Sequence, residues 1–204
     1  MVRAWLLPSA LEKHATPRRL TSMRLCIAVL LAALSASNGW AADALVSSPR
    51  WNVYFSPKGG CTEAVVEALD HAKSTILVQA YSFTSVPIAG ALVQAHRRGV
   101  KIEVVLDKSQ RTEKYSAATF IRNNGIPCLI DDKHAIAHNK VMVIDGQTVI
   151  TGSFNFTKAA EQANAENLLV VRDTELAAKF TQNWKVHREH SEPYTGFASR
   201  SKNR

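Results

Sequence analysis

The 204-residue chain has only three cysteines, at positions 26, 61 and 128, too few for a disulfide scaffold. Its nine glycines follow no period, which excludes a collagen-like chain. It has no apolar run of transmembrane length: the run 25–34 is about half of the ~20 residues that a spanning helix needs. There is no internal repeat, no heptad pattern and no low-complexity segment. Charged residues make up 21% and apolar residues 46%, a balance that excludes wholesale disorder. The length fits one domain or two small ones. What the chain does have is positive charge: 25 Lys+Arg against 17 Asp+Glu, a net +8. That surplus calls for an anionic partner, nucleic acid or a phospholipid surface, without choosing between them.

The first 44 residues read as a secretory signal rather than as fold. Arg24 precedes the uncharged run 25–34, a more polar stretch follows, and small residues stand at Ala41, Ala42 and Ala44. This is the order of a signal peptide, with cleavage after Ala41 or Ala44. The competing reading, a membrane anchor, needs a longer run. Met23 immediately precedes Arg24 and is the expected initiator. The expected protein is exported, periplasmic or secreted, with no stable membrane anchor after cleavage. Without residues 1–44 the chain holds 20 basic and 15 acidic residues, net +5. Cys61 and Cys128 remain. Pairing them would close a long loop worth about 4 kcal/mol; two buried free thiols are the alternative.

Residues 45–190 form the expected domain, and 191–204 a polar flexible tail. Strands are expected at 51–55, 74–81, 100–106 and 126–130, with helices at 62–72, 87–98 and 115–124. Beyond these, strands at 141–144 and 149–151 flank Asp145-Gly146, a strong hairpin signal. A strand at 166–171 and a closing helix at 174–187 complete the pattern. Alternation followed by a hairpin gives an α/β class: a single domain with a mixed β-sheet flanked by helices.

The chemistry concentrates in His138-Asn139-Lys140 through Asp145 and in Gly152-Ser153-Phe154-Asn155. On extended backbone His138 and Lys140 share a face, as do Ser153 and Asn155, and the hairpin folds the two segments together. Gly152 leaves room for a ligand or a neighbouring backbone. Such a set suits a phosphodiester. A neutral imidazole attacks phosphorus, Lys140 offers a compact charge to the non-bridging oxygens, and Ser153 and Asn155 donate further hydrogen bonds. The leaving alkoxide needs a proton, for which a second histidine is the natural donor. His71, His96, His134, His187 and His190 belong to no second copy of the pattern. A metal reading rests on Asp131, Asp132, His134 and His138; no Glu follows His134 as the helical zinc-protease motif requires, and no metal is expected.

His138, Lys140, Asp145, Gly152, Ser153 and Asn155 fit H-x-K-x4-D-x6-G-S-x-N, and the chain thereby resembles the phospholipase D superfamily. The stretches 80–84, 151–160 and 165–167 resemble its short, secreted, single-motif bacterial members, among them an endonuclease and several proteins called phospholipase D. The resemblance implies His138 as nucleophile, Lys140 and Asn155 as phosphate ligands with Ser153 in support, and Glu166 as the carboxylate that orients the histidine. Asp145, the motif's third letter, joins the catalytic set with a structural flavour from its place at the turn. One motif per chain implies a homodimer with the site on its two-fold axis, paired histidines that titrate together, and chemistry without cofactor or metal. The implied substrates are nucleic acid, cleaved by a non-specific endonuclease, or a phosphatidylcholine-type phospholipid. A third reading, a binding protein that has lost catalysis, sits badly with an intact motif.

Overall fold

The computed structural model describes residues 50–196. The signal-like region, Cys26, Met23 and the last eight residues lie outside the described residues. Eight strands form one sheet in the order β1-β7-β6-β5-β2-β3-β4-β8. They are β1 (Arg50–Ser56), β2 (Thr75–Ala80), β3 (Lys101–Asp107), β4 (Cys128–Asp131), β5 (Lys140–Ile144), β6 (Thr148–Gly152), β7 (Glu166–Arg172) and β8 (Glu192–Pro193). The helices are α1 (Cys61–Asp70), α2 (Val86–Arg97), α3 (Ala118–Asn123), α4 (Lys158–Gln162) and α5 (Thr174–Glu189), with a 3-10 turn at Lys108–Arg111. Strands β2, β3 and β4 run parallel; every other pairing is antiparallel. The expected mixed-sheet α/β domain is the one observed.

Side-chain alternation divides the core into two layers. Met142, Ile144 and Ile150 face a large cluster that holds Leu69 of α1, Leu92 of α2 and Ile121 of α3. Val141, Val143 and Val149 face the opposite way, onto Ala177, Leu176 and Phe180 of α5. Strand β5 is therefore buried on both sides along its whole length, which is why it reads as an unbroken apolar run. Trp184 closes α5 onto the sheet and donates its indole N–H to Val78 O at 2.9 Å.

The hairpin between β5 and β6 turns through Asp145 and Gly146, both at positive φ (54° and 64°), the pairing a type I′ turn demands. Asp145 does more than turn. Its carboxylate accepts from Lys73 N (2.9 Å), Ser74 N (2.7 Å), Ser74 Oγ (2.8 Å) and Thr75 N (3.0 Å). It stitches the hairpin to the start of β2. The basic cluster around Gly99 also has a local task, since Arg98 Nη2 caps α1 through Leu69 O at 2.8 Å.

One expectation changes and one open choice closes. Residues from Ser191 are not loose at their start: β8 pairs with β4, Tyr194 is buried, and its hydroxyl shares a 2.8 Å bond with Thr119. The sequence signal missed this because a two-residue strand has no period. Cys61 and Cys128 do not pair; both are buried free thiols. Burial pushes the Cys61 thiol up to about 11, helped by Glu161 and Glu63, and the Cys128 thiol up to about 12.

Both thiols should resist a thiol-specific disulfide reagent at pH 8 and react fully in denaturant, which a colorimetric thiol count with and without guanidinium checks. Burial alone would raise the Asp145 carboxyl, but the amides of Thr75, Ser74 and Lys73 hold it below the ordinary carboxylate value. A lowered folded-state pKa contributes stability above the unfolded value, about 3.9, and that stability is lost as pH falls through the folded value. Asp145→Asn tolerates positive φ but removes the charge. It should cost about 1–2 kcal/mol at neutral pH and flatten the acid limb of the stability curve, read by urea unfolding at several pH values.

Candidate active site

The chemistry gathers at one end of the sheet. Strands β2, β3 and β4 finish there, β6 finishes there, and β5 and β7 begin there. In a parallel sheet the carboxyl ends of the strands are where ligands are met. Tyr81 follows β2, Asp107 ends β3, Lys140 opens β5, Ser153 follows β6 and Glu166 opens β7.

His138 and Lys140 converge as expected, but not as equals on one strand. His138 lies in the loop before β5 and is exposed, while Lys140 is 6% exposed. Tyr81 joins them. Its ring lies 4.7 Å from the His138 ring, and Lys140 Nζ sits 5.0 Å from its centroid, a cation–π contact worth about 1–2 kcal/mol when desolvated. Lys140 Nζ also donates to His138 O at 2.8 Å. Burial pushes the Lys140 ammonium below its ordinary range, and the charge of Glu166 opposes that. In the segment 81–84, then, Tyr81 lines the site and Phe83 is core.

The loop carrying His138 is held on both sides. Buried Asp107 accepts from Ala137 N through Oδ2 (2.8 Å) and from Ser109 N through Oδ1 (2.8 Å). Beyond the histidine, Tyr81 N donates to Asn139 O at 2.8 Å. Asp107 was not singled out from sequence. The available signal was a carboxylate closing an otherwise apolar strand of a parallel pair.

Ser153 and Asn167 exchange bonds: Asn167 N donates to Ser153 Oγ at 3.0 Å, and Ser153 N approaches Asn167 Oδ1 at 3.4 Å. Of the two readings of Gly152, the neighbouring backbone is the one found, since a Cβ there would collide with Asn167 O. Asn155 Oδ1 is buried without a partner, leaving that amide uncommitted. Glu166 accepts from Asn164 Nδ2 at 3.2 Å; among the described residues it has no hydrogen bond to His138 in this single chain.

Asp145 is corrected. It follows the opposite end of β5, five residues and about 16 Å from Lys140 at strand rise, so it is a fold-holding residue outside the reacting group. The groove of about 350 Å³ lined by Arg50, His71, Asp145 and Arg172 lies at that same far end. The metal set considered from sequence also separates. Asp132 turns to Arg111 at 3.5 Å, His138 stays on Tyr81, and Asp131 instead collects His134, His187 and His190.

A family model described as "Cardiolipin synthase, PLD-like domain" matches residues 65–187. The chain belongs to the phospholipase D superfamily, and the domain is of its phosphodiester-hydrolase class. A protein named phospholipase D from Rickettsia felis is 44% identical over 130 residues, which cover 64% of this chain and 65% of that relative. Another of that name from Rickettsia conorii is 42% identical over 139 residues, 68% of this chain and 70% of the relative. The crystal structure of Nuc from Salmonella typhimurium, described as a phospholipase D family member, superposes with a TM-score of 0.70 at 42% identity. That match covers 72% of this chain and 98% of Nuc.

If the Asp107 tether positions the nucleophile, Asp107→Asn should lower kcat on bis(p-nitrophenyl) phosphate by about 10–100-fold with little change in KM, the range expected of a misplaced reacting group. Steady-state kinetics, with circular dichroism to confirm the fold, check this.

Proposed function

We propose that the protein is an exported phosphodiesterase that works through a covalent phosphohistidine, with nucleic acid as its substrate. The observation that carries the reaction is the exposed His138 imidazole beside the buried Lys140 ammonium, both set against Tyr81. His138 attacks phosphorus, the P–O bond to the leaving group breaks, and the departing alkoxide takes a proton from a second imidazole. Water, losing a proton to that imidazole, then cleaves the phosphohistidine and regenerates both groups. Lys140, Asn155 and Ser153 bind the phosphoryl oxygens, and Glu166 orients a histidine and balances charge.

The second imidazole comes from a second copy of the chain. His134, His187 and His190 are gathered around Asp131, and the sequence holds one such motif. Trp51, Val53 and Phe55 are exposed and share one face of the edge strand β1. They stand in register with Val171, Leu169 and Asn167, so the apolar stripe runs up to the Asn167–Ser153 pair. An isologous contact there would bring two sites together.

Nucleic acid is favoured by the likeness to Nuc over nearly that protein's whole length and by the basic residues near the His138 loop. Lys108 Nζ donates to His134 O at 3.0 Å, and Lys133 is exposed in the same loop. A phospholipid substrate is the second reading. It is favoured by Ile136, 57% exposed two residues before His138, and by the Rickettsia relatives' name.

The test compares the native chain with His138→Ala on plasmid DNA, RNA and phosphatidylcholine vesicles, all in EDTA. Nicking or RNA loss only with the native chain supports the nuclease; choline release without nicking moves the assignment to the lipid. Activity on none of them by a folded, dimeric protein overturns both. Sedimentation equilibrium should give twice the chain mass, and kcat/KM should follow a bell-shaped pH profile from the coupled histidines.

A further inference from the structure

Asp131 closes β4 with its side chain wholly buried, and three imidazoles surround it. His134 Nδ1 and His187 Nδ1 lie 3.0 and 2.7 Å from Oδ2, and His190 Nε2 lies 3.2 Å from Oδ1. The three rings also meet one another, with centroids 4.7, 5.2 and 5.6 Å apart. One ligand atom from each of the four residues can be chosen so that all lie within 4.8 Å of one another. As a hydrogen-bonded cage the arrangement is incomplete. His134 Nδ1 bridges the two oxygens, 3.1 Å from Oδ1 and 3.0 Å from Oδ2, and so shares Oδ2 with His187, while buried His190 Nε2 has no partner in hydrogen-bonding geometry.

The same four residues make good sense as ligands. They come as two pairs, Asp131-x2-His134 in the turn after β4 and His187-x2-His190 at the end of α5. Two short-spaced pairs from separate elements are the usual build of a closed zinc site. Bonds of about 2.0–2.1 Å at tetrahedral angles place ligand atoms about 3.3 Å apart; the carboxylate–imidazole contacts of 2.7–3.2 Å are close to that, and the four ligand atoms lie within 4.8 Å of one another. The carboxylate is also fixed from outside the set, since Lys133 N donates to Asp131 Oδ1 at 3.1 Å, the kind of support metal ligands receive.

We propose that Asp131, His134, His187 and His190 form a structural binding site for a zinc-class divalent transition ion, separate from the reacting histidine. Four protein ligands leave no open position for substrate. The ion would join the end of β4, the loop that follows it and the last turn of α5. His134 is four residues before His138, so the joint braces the same loop that Asp107 holds at Ala137.

The test uses the full chain purified without a histidine tag. Elemental analysis should find about one zinc per chain. Stripping with EDTA should lower Tm, and zinc alone should restore it. Cobalt(II) in place of zinc should give the intense visible bands of a tetrahedral site. His134→Gln, at a half-exposed position that spares the core, and His190→Gln should each weaken zinc binding by at least about 10–100-fold in calorimetric titration. A stripped chain that takes up no zinc and leaves cobalt as its octahedral aqua ion would overturn the proposal. So would variants that bind zinc as tightly as the native chain.

Discussion

The site depends on two backbone tethers that fix a loop, more than on any contact of the His138 side chain, the proposed nucleophile. Asp107 holds Ala137 N, and Tyr81 N holds Asn139 O, so His138 is pinned from its two neighbours while its ring stays exposed. The first tether is strong because its carboxylate is buried, where an amide partner lost is a charge left unsatisfied. Both come from the carboxyl ends of adjacent parallel strands, β2 and β3. The sheet thus fixes the position of a group that itself packs against little.

This arrangement lets two neighbouring residues have opposite environments. An attacking imidazole must be reachable, whereas a cation that holds phosphoryl oxygens gains from a drier setting, where its field is less screened. The loop gives the first to His138. The start of β5, under the Tyr81 ring, gives the second to Lys140. Burial lowers the lysine's affinity for its proton, and the Glu166 charge works the other way. Glu166 therefore bears on Lys140 electrostatically within one chain.

Much of this was legible in the residues. Periodicity placed the strands and longer helices because each carries its core face in the sequence, and Asp145-Gly146 named its turn because few residue pairs accept two positive φ values. The motif brought His138, Lys140, Ser153 and Asn155 to one end of the sheet. What escaped depends on partners distant in the chain. Asp107 is 30 residues from the amide it holds, Tyr81 could have been core, and Tyr194 is buried by a two-residue strand. His187 and His190 sit at the polar end of a helix whose legible core face is Leu176, Phe180 and Trp184, so nothing local announced that β4 would bring Asp131 to them.

Asp145 shows why a motif is not yet a site. Its spacing from His138 is as regular as that of Lys140, but a strand carries it about 16 Å away, where it binds the backbone of β2 instead of a substrate. The two ends of β5 thus divide the work. At one, four hydrogen bonds lock the hairpin to the sheet and make the strand's register certain. At the other, that register decides where Lys140 emerges. A slip of one residue would send Lys140 to the α5 face and Val141 beneath Tyr81. The far carboxylate therefore serves the reaction by keeping the strand in place, and its loss should be felt first as stability and only through stability as rate.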